Sequence, residues 1–429
     1  MRSRTRASVL ILGVAAGITL VALIAARTPR QASAGAASRL VEAPVAPGPA
    51  DPVGQADPVS QADPASQAPA VPVVAAAAPV AELPVGDRKI QIALLLDTSS
   101  SMQGLIDQAR SQLWKVVNEF ARAKQQGSRP RLEIALYQYG NVGLPSASGW
   151  IQRVLPFTTD LDDVSEKLFA LRTNGGDEYV GQVIQTAVRG LEWSSGPRDL
   201  KLVFVAGNEP FTQGPVSPAA AIALARERGI RVNAIHCGGD DPTWREGALL
   251  AKGSYVTIDH NRAVVHVAAP QDDEIARLGV KLNATYLAYG AHGSEGQERQ
   301  ALQDKNAASA GQGSLVQRSV ARASNMYRNA RWDLVDATRE GKADLAKLRD
   351  EAVPEDMRKM TLAQRRAHVE AKASERAQLQ RRIVELNLAR EKHVRAELAR
   401  RGDAAASTLD SALIKTVHEQ GSKRGWRFE

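Results

Sequence analysis

The stretch Lys89–Asp97, KIQIALLLD, followed by Thr98-Ser99-Ser100-Ser101, decides how the chain is read. Its near-continuous apolar character suits a β-strand covered on both faces, as in a parallel sheet. Reading outward, Ile106, Ala109, Leu113, Val117 and Phe120 fall at three- and four-residue spacing and predict an amphipathic helix. A second strand is expected over Leu132–Gly140, and a shorter one over Trp150–Phe157, placed at an edge by Pro156. Asp160 can cap the helix LDDVSEKLFALR, and a further helix follows the loop Thr173–Glu178. The strand Leu200–Gly207, a helix opened by Ser217-Pro218 and closed by Gly229, the strand RVNAIHCG, a short helix and the strand SYVTID complete the pattern. Strands alternating with helices predict an α/β domain built on a doubly wound, mostly parallel sheet over residues 88–268, able to fold by itself. From about residue 269 the alternation gives way to a helical region, 269–429. It includes MYRNARWDLVDA around Tyr327 to Asp336 and a long helix over 362–401.

In an open parallel sheet, ligands bind beyond the C-terminal ends of the strands. The loops there carry oxygen donors: Asp97-x-Ser99-x-Ser101 after the first strand, Asn208-Glu209 after VFVAG, and Asp240-Asp241 after NAIHCGG. The loop Thr173-Asn174-Gly175-Gly176-Asp177-Glu178 precedes a helix whose N-terminus opens on the same side. Short Asp and Ser side chains on a tight turn suit a hard cation such as Mg²⁺, which demands oxygen ligands in near-octahedral geometry. The same residues also serve as ordinary turn and helix-cap chemistry, the usual role of charges such as Asp240 and Asp241.

Asp97-x-Ser99-x-Ser101 at the end of a central strand, in this order of elements, resembles a von Willebrand factor type A domain over about residues 88 to 268. The resemblance implies a metal-ion-dependent adhesion site. There the DxSxS loop, a threonine from a second loop and an aspartate after a later strand bind Mg²⁺ or Mn²⁺, and one position stays open for a partner's carboxylate. This chain departs from the pattern at two places. Asn208, followed by Glu209, stands where the family has its aspartate. In the second loop Gly176, Asp177 or Glu178 falls where the threonine belongs, and Thr173 lies too far upstream. The candidate ligands are therefore Asp97, Ser99, Ser101, Asp177, Glu178, Asn208 and Glu209. A carboxylate from Glu178 would occupy the position that a partner's carboxylate takes in the family.

The N-terminus carries a basic n-region at residues 1–6, then ASVLILGVAAGITLVALIAA over 7–26 without a charge. That length matches a bilayer core and exceeds the usual signal-peptide core, which predicts an uncleaved membrane anchor; cleavage near 32–34 is the alternative. Arg2, Arg4 and Arg6 outnumber Arg27 and Arg30, so the bulk of the chain is expected outside the cytoplasm. Residues 27–87, rich in Ala and Pro with a degenerate QADP repeat, read as an extended tether reaching at most on the order of 170 Å.

Basic residues outnumber acidic ones, 55 to 47. The excess in the long C-terminal helix is interleaved with Glu, as on a solvated face, which together with export argues against nucleic acid. The helix carries an apolar seam, Leu379, Ile383, Leu386, Val394 and Leu398, interrupted by Arg390; this fits packing on neighbouring helices better than a strict heptad coiled coil. The single cysteine, Cys237, excludes an intrachain disulfide, and its neighbour His236 must point to the opposite face of the strand. With no oriented third group visible for a dyad drawn from Cys237, His236 and His260, and no HExxH, CxxC, P-loop or GxSxG present, an enzyme is not expected. Two functions fit: a binding module that holds a protein partner at the strand ends, or an envelope assembly protein whose metal site is vestigial and whose C-terminal helices carry the interaction.

Overall fold

The computed structural model describes residues 85–401 and 408–428. The expected anchor, 7–26, and nearly all of the tether lie outside the described residues. Among the described residues no helix is long and apolar enough to cross a membrane.

The chain builds β1 (Val85–Asp97), α1 (Gln103–Ala121), β2 (Ala123–Lys124), β3 (Arg129–Tyr139), β4 (Ile151–Thr158), α2 (Leu161–Ala170), α3 (Val180–Gly190) and β5 (Leu200–Gly207). It continues through α4 (Pro218–Glu227), β6 (Arg231–Cys237), α5 (Pro242–Leu250) and β7 (Tyr255–Ile258). The six long strands form one sheet in the order β4-β3-β1-β5-β6-β7. All neighbours are parallel except the edge pair β3–β4. β1 lies in the middle, with Leu95 opposite both Tyr137 of β3 and Val205 of β5. Asp160 caps α2 as expected, accepting from the backbone N–H of Asp162 and Asp163.

Alternation along the strands divides the core into two layers. Ile90, Ile92 and Leu96 of β1, with Leu202 and Phe204 of β5, face α1 and α2. Ala93 and Leu95, with Val203 and Val205, face α3, α4 and α5. Cys237 points to the first layer, whereas His236 packs beside Trp244 on the second side.

The helical region comprises α6 (Asp272–Asn283), α7 (Gly293–Ser309), α8 (Gln312–Ala323), α9 (Leu334–Arg339), α10 (Leu362–Arg401) and α11 (Leu409–Ser422), ending in β8 (Arg427–Phe428). From β1 to β8 the described residues pack as one compact unit, so the change of pattern near 268 is not a break in packing. Ile275, Leu282, Val316, Leu409, Leu413, Val417 and Trp426 join the same apolar layer as Ile90, Ile92 and the inner face of α1. The amide N–H of Leu409 donates to Gln108 on α1 at 2.9 Å, and Gln420 donates to Asn233 on β6 at 2.5 Å. β8 pairs antiparallel with β2, setting Phe428 opposite Ala123. The stretch 327–333, expected to be helical, is irregular, and helix begins only at Leu334. Asp333 explains the late start: as N-cap it accepts from Asp336 N–H at 2.9 Å, while its other oxygen accepts from Leu287 N–H at 2.7 Å.

The long helix α10 has the expected bounds but a different buried face. Arg365, Val369, Arg376, Ile383, Asn387 and Arg390 are its buried residues, while Leu379 and Leu386 are only partly covered and Leu398 is exposed. Arg376 stands 4.0 Å over the Tyr286 ring and donates to Asp333 and Asp336 at 2.7 and 2.9 Å. Arg390 donates to Asp272 of α6 at 2.7 Å. The helix is thus held to α6 and α9 by buried ion pairs, not by a heptad seam.

Candidate metal centre

β1 ends at the middle of the sheet, and its terminal residue, Asp97, is fully buried. One carboxylate oxygen, Oδ1, accepts from Ser99 N–H at 2.7 Å, closing the tight turn that the short residues of Thr98–Ser101 permit. The other, Oδ2, has no partner although it is buried. The Ser99 and Ser101 hydroxyls lie 3.1 Å apart, and Ser101 Oγ reaches Asn208 Oδ1 at 3.4 Å. Ser99 is buried, while Ser101 opens to solvent.

The second loop delivers Glu178, which is buried beside Asp97, with its Oε2 also unpartnered. Its approach depends on two glycines. Gly140, at φ +74°, follows β3, and a Cβ there would stand 2.8 Å from both Asp97 Oδ1 and Glu178 Cγ. A Cβ on Gly176 would meet the Gly140 carbonyl at 2.7 Å, so only glycines allow the two loops to close this tightly. Val142 N–H bonds to Gly175 O at 2.6 Å and Asn174 N–H to Thr98 O at 2.9 Å, tying the second loop to the turn after β3 and to the first loop. Gln213 accepts from Glu178 N–H at 3.0 Å.

The third loop follows β5. The Asn208 carbonyl meets His236 Nε2 at 3.2 Å, and the Glu209 carbonyl accepts from Trp244 Nε1 at 2.7 Å, so both are fixed from the β6–α5 side.

Of the candidate ligands, the structure brings together Asp97, Ser99, Ser101, Glu178 and Asn208. Asp177 stays exposed, taking a long 3.5 Å hydrogen bond from Tyr179. Asp241 caps α5 and Asp240 pairs with Arg245, each the ordinary role of a loop carboxylate. Sequence reasoning missed Tyr139, whose hydroxyl donates to Ala206 O at 2.9 Å and packs under the Asp97 carboxylate. Its only signal was its place one residue before Gly140.

Burial is the main force on the Asp97 carboxyl and pushes its pKa well up; the hydrogen bond and charge of Glu178 push it further, against the Ser99 contacts. None of these groups is cationic. Burial, then the same two carboxylates, raise the Tyr139 and Cys237 pKa values well above their ordinary range, which leaves Cys237 an inert thiol. Two adjacent buried carboxyls with orphaned oxygens must share a proton or hold a cation. Among the described residues no group of three or more His, Cys, Asp or Glu comes together to hold a metal. The donor set here is two carboxylates with hydroxyl and amide oxygens. It fits a hard ion such as Mg²⁺ or Mn²⁺ and lacks the nitrogen and sulfur ligands that zinc prefers.

The family profile of the von Willebrand factor type A domain matches residues 91–253. Similar solved structures include BatB from Bacteroides thetaiotaomicron, 17% identical over 40% of this chain and 90% of that one, TM-score 0.30. An aerotolerance-related membrane protein from Bacteroides fragilis is 16% identical over 40% of this chain and 93% of its own, TM-score 0.28. Proximal thread matrix protein 1 from the mussel byssus, in a form with a zinc-occupied MIDAS motif, is 16% identical over 40% of this chain and 41% of its own, TM-score 0.31. No curated protein matches the chain. With the profile match falling on the mostly parallel sheet and its strand-end loops, this part of the chain is a von Willebrand factor type A domain.

Proposed function

We propose that the chain is a binding module that holds a protein partner at the strand-end face, with a divalent cation bound among Asp97, Ser99, Ser101 and Glu178. The observation that carries this reading is the meeting of two buried carboxylates whose Asp97 Oδ2 and Glu178 Oε2 atoms have no partner. Asp97 and Glu178 would hold the cation between the first and second loops, and it would supply the charge that neutralises both carboxylates. The chain's own residues orient the loops. Asp97 anchors the turn through Ser99, Asn208 approaches from the third loop, and Gly140 and Gly176 leave the room. The N-terminal run at 7–26 and the tether set the domain outside the cytoplasm on a membrane anchor, a reading supported by the charge-free length and its flanking arginines. The role is binding and not catalysis.

A second reading is favoured by Glu178 itself. A carboxylate supplied from within leaves the cation less need of a partner's carboxylate, so the ion acts as a staple for the face and the helical region carries part of the interaction. Calorimetric titration of Mg²⁺ and Mn²⁺ tests the shared premise. Saturable heat is expected from the wild type and none from Asp97→Ala. Equal heats from the two proteins would make the turn at 97–101 only a loop.

A further inference from the structure

A cleft of about 460 Å³ opens at the other end of the sheet from Asp97, where β3 begins and β4 ends. Pro130, Arg131 and Thr158–Asp160 form one side, and the irregular stretch Asn325–Trp332, with Glu340 and Lys342, forms the other. The volume lies within the range of pockets that hold small ligands or a few residues of a peptide. The cleft exists only because the helical region docks on the α/β layer.

Its rim is basic. Four cationic side chains line it, Arg131, Arg328, Arg331 and Lys342, against two acidic ones. Glu340 is engaged by Arg328 and Lys342 at 3.5 and 2.7 Å, and Asp160 by its own helix cap and by Arg299. Arg131 pairs with Glu133 at 3.4 Å, which leaves Arg331 as the cation of this rim without an acidic ion-pair partner among the described residues. Arg331 is exposed, its guanidinium reaching His292 Nε2 at 3.3 Å. The wall behind this rim has an unmet requirement. Asn329 is only 6% exposed, and its Nδ2 finds no partner. Neighbouring Asn325 presents a buried Oδ1 that is likewise unpartnered. Among the lining residues an unpaired amide donor and an unpaired amide acceptor match in kind the C=O and N–H of a peptide group. Met326 and Trp332 add apolar surface beside them.

We propose that this cleft binds an acidic peptide segment of a partner protein, with a carboxylate on the exposed Arg331 and a peptide group against Asn325 and Asn329. The site is independent of the metal centre. The test is fluorescence anisotropy on the full chain in detergent, with a labelled hexapeptide of alternating glutamate and alanine. The comparison probes are its lysine counterpart and inorganic phosphate.

The glutamate peptide should bind saturably and lose affinity as salt rises, since exposed charges are screened. Arg331→Glu and the charge-neutral Asn329→Leu should each weaken it at least tenfold. Asn329→Leu leaves the backbone bonds of that residue in place: its N–H donates to Asp336 at 2.8 Å and its carbonyl accepts from Trp332 and Asp333. Should that variant fail to fold, Arg331→Glu, at an exposed position, keeps the test decisive. Chelator and Asp97→Ala should leave binding unchanged. The proposal is overturned if wild type shows no saturable binding at millimolar peptide, if the lysine peptide binds as well, or if equimolar phosphate displaces the probe. It is equally overturned if chelator abolishes binding or if folded variants bind like wild type.

Discussion

Asp97 and Glu178 show what a single pair of residues does to this fold. Two carboxyls in one buried, uncharged environment repel when both ionise, and a cation or a shared proton must relieve them. Replacing one carboxylate by an amide should therefore raise stability in metal-free buffer. We expect Glu178→Gln to gain on the order of 1–2 kcal/mol there, the relief of one buried repulsion. The same variant should lose most of the melting-temperature rise that Mn²⁺ gives the wild type, which differential scanning calorimetry with and without Mn²⁺ would read. The Asp97-x-Ser99-x-Ser101 half of this pair was legible in the sequence because it is local: a strand end and a turn five residues long. Glu178 was legible only as one of three neighbours in Gly176-Asp177-Glu178. The choice among them is made by Gly140, just past the end of β3, which leaves room for one side chain to turn inward.

α10 makes the corresponding case for an element. Its limits at 362 and 401 were readable, since a long run of helix-forming residues without proline needs no tertiary information. Its buried face was legible only in part: Ile383 of the apolar seam is buried with Leu379 and Leu386 packed on the core, but anchoring arginines such as Arg376 carry no apolar signal. Burial, and next the neighbouring Asp333 carboxylate, push the Asp336 pKa up to about 6 against the pull of Arg376. An unfolded aspartate titrates near 3.9. Between those values the folded chain holds a proton that the unfolded chain releases, so this group's contribution is full below about pH 4 and is lost as pH rises through about 6. Denaturant melts of wild type between pH 4 and 7 should carry this falling component, and Asp336→Asn should remove it. An unchanged pH slope in the variant would mean that another group titrates.

For the whole molecule, the sheet and its strand order belong to the α/β part, but the core does not end there. The alternation of strand and helix was legible because each element signals its own period. The return of α11 and β8 to α1, β2 and β6 was not, since contacts such as Ala123 with Phe428 join residues from opposite ends of the described chain and leave no local pattern. A chain ending at 401 loses the buried side chains Leu409, Leu413, Val417 and Trp426. At roughly 1.5–3 kcal/mol for each such side chain, the loss rivals the 5–15 kcal/mol total of an ordinary domain. That truncation should melt broadly and bind a hydrophobic dye. A sharp, native-like transition would instead show that the rest of the chain folds without α11 and β8.

The central claim is that the paired carboxylates at the end of β1 form a cation site, and diffraction from crystals grown with Mn²⁺ tests it most directly. The account predicts an anomalous peak at coordination distance from both Asp97 Oδ2 and Glu178 Oε2. Absence of that peak, with the two carboxyls adjacent and sharing a proton, would contradict it.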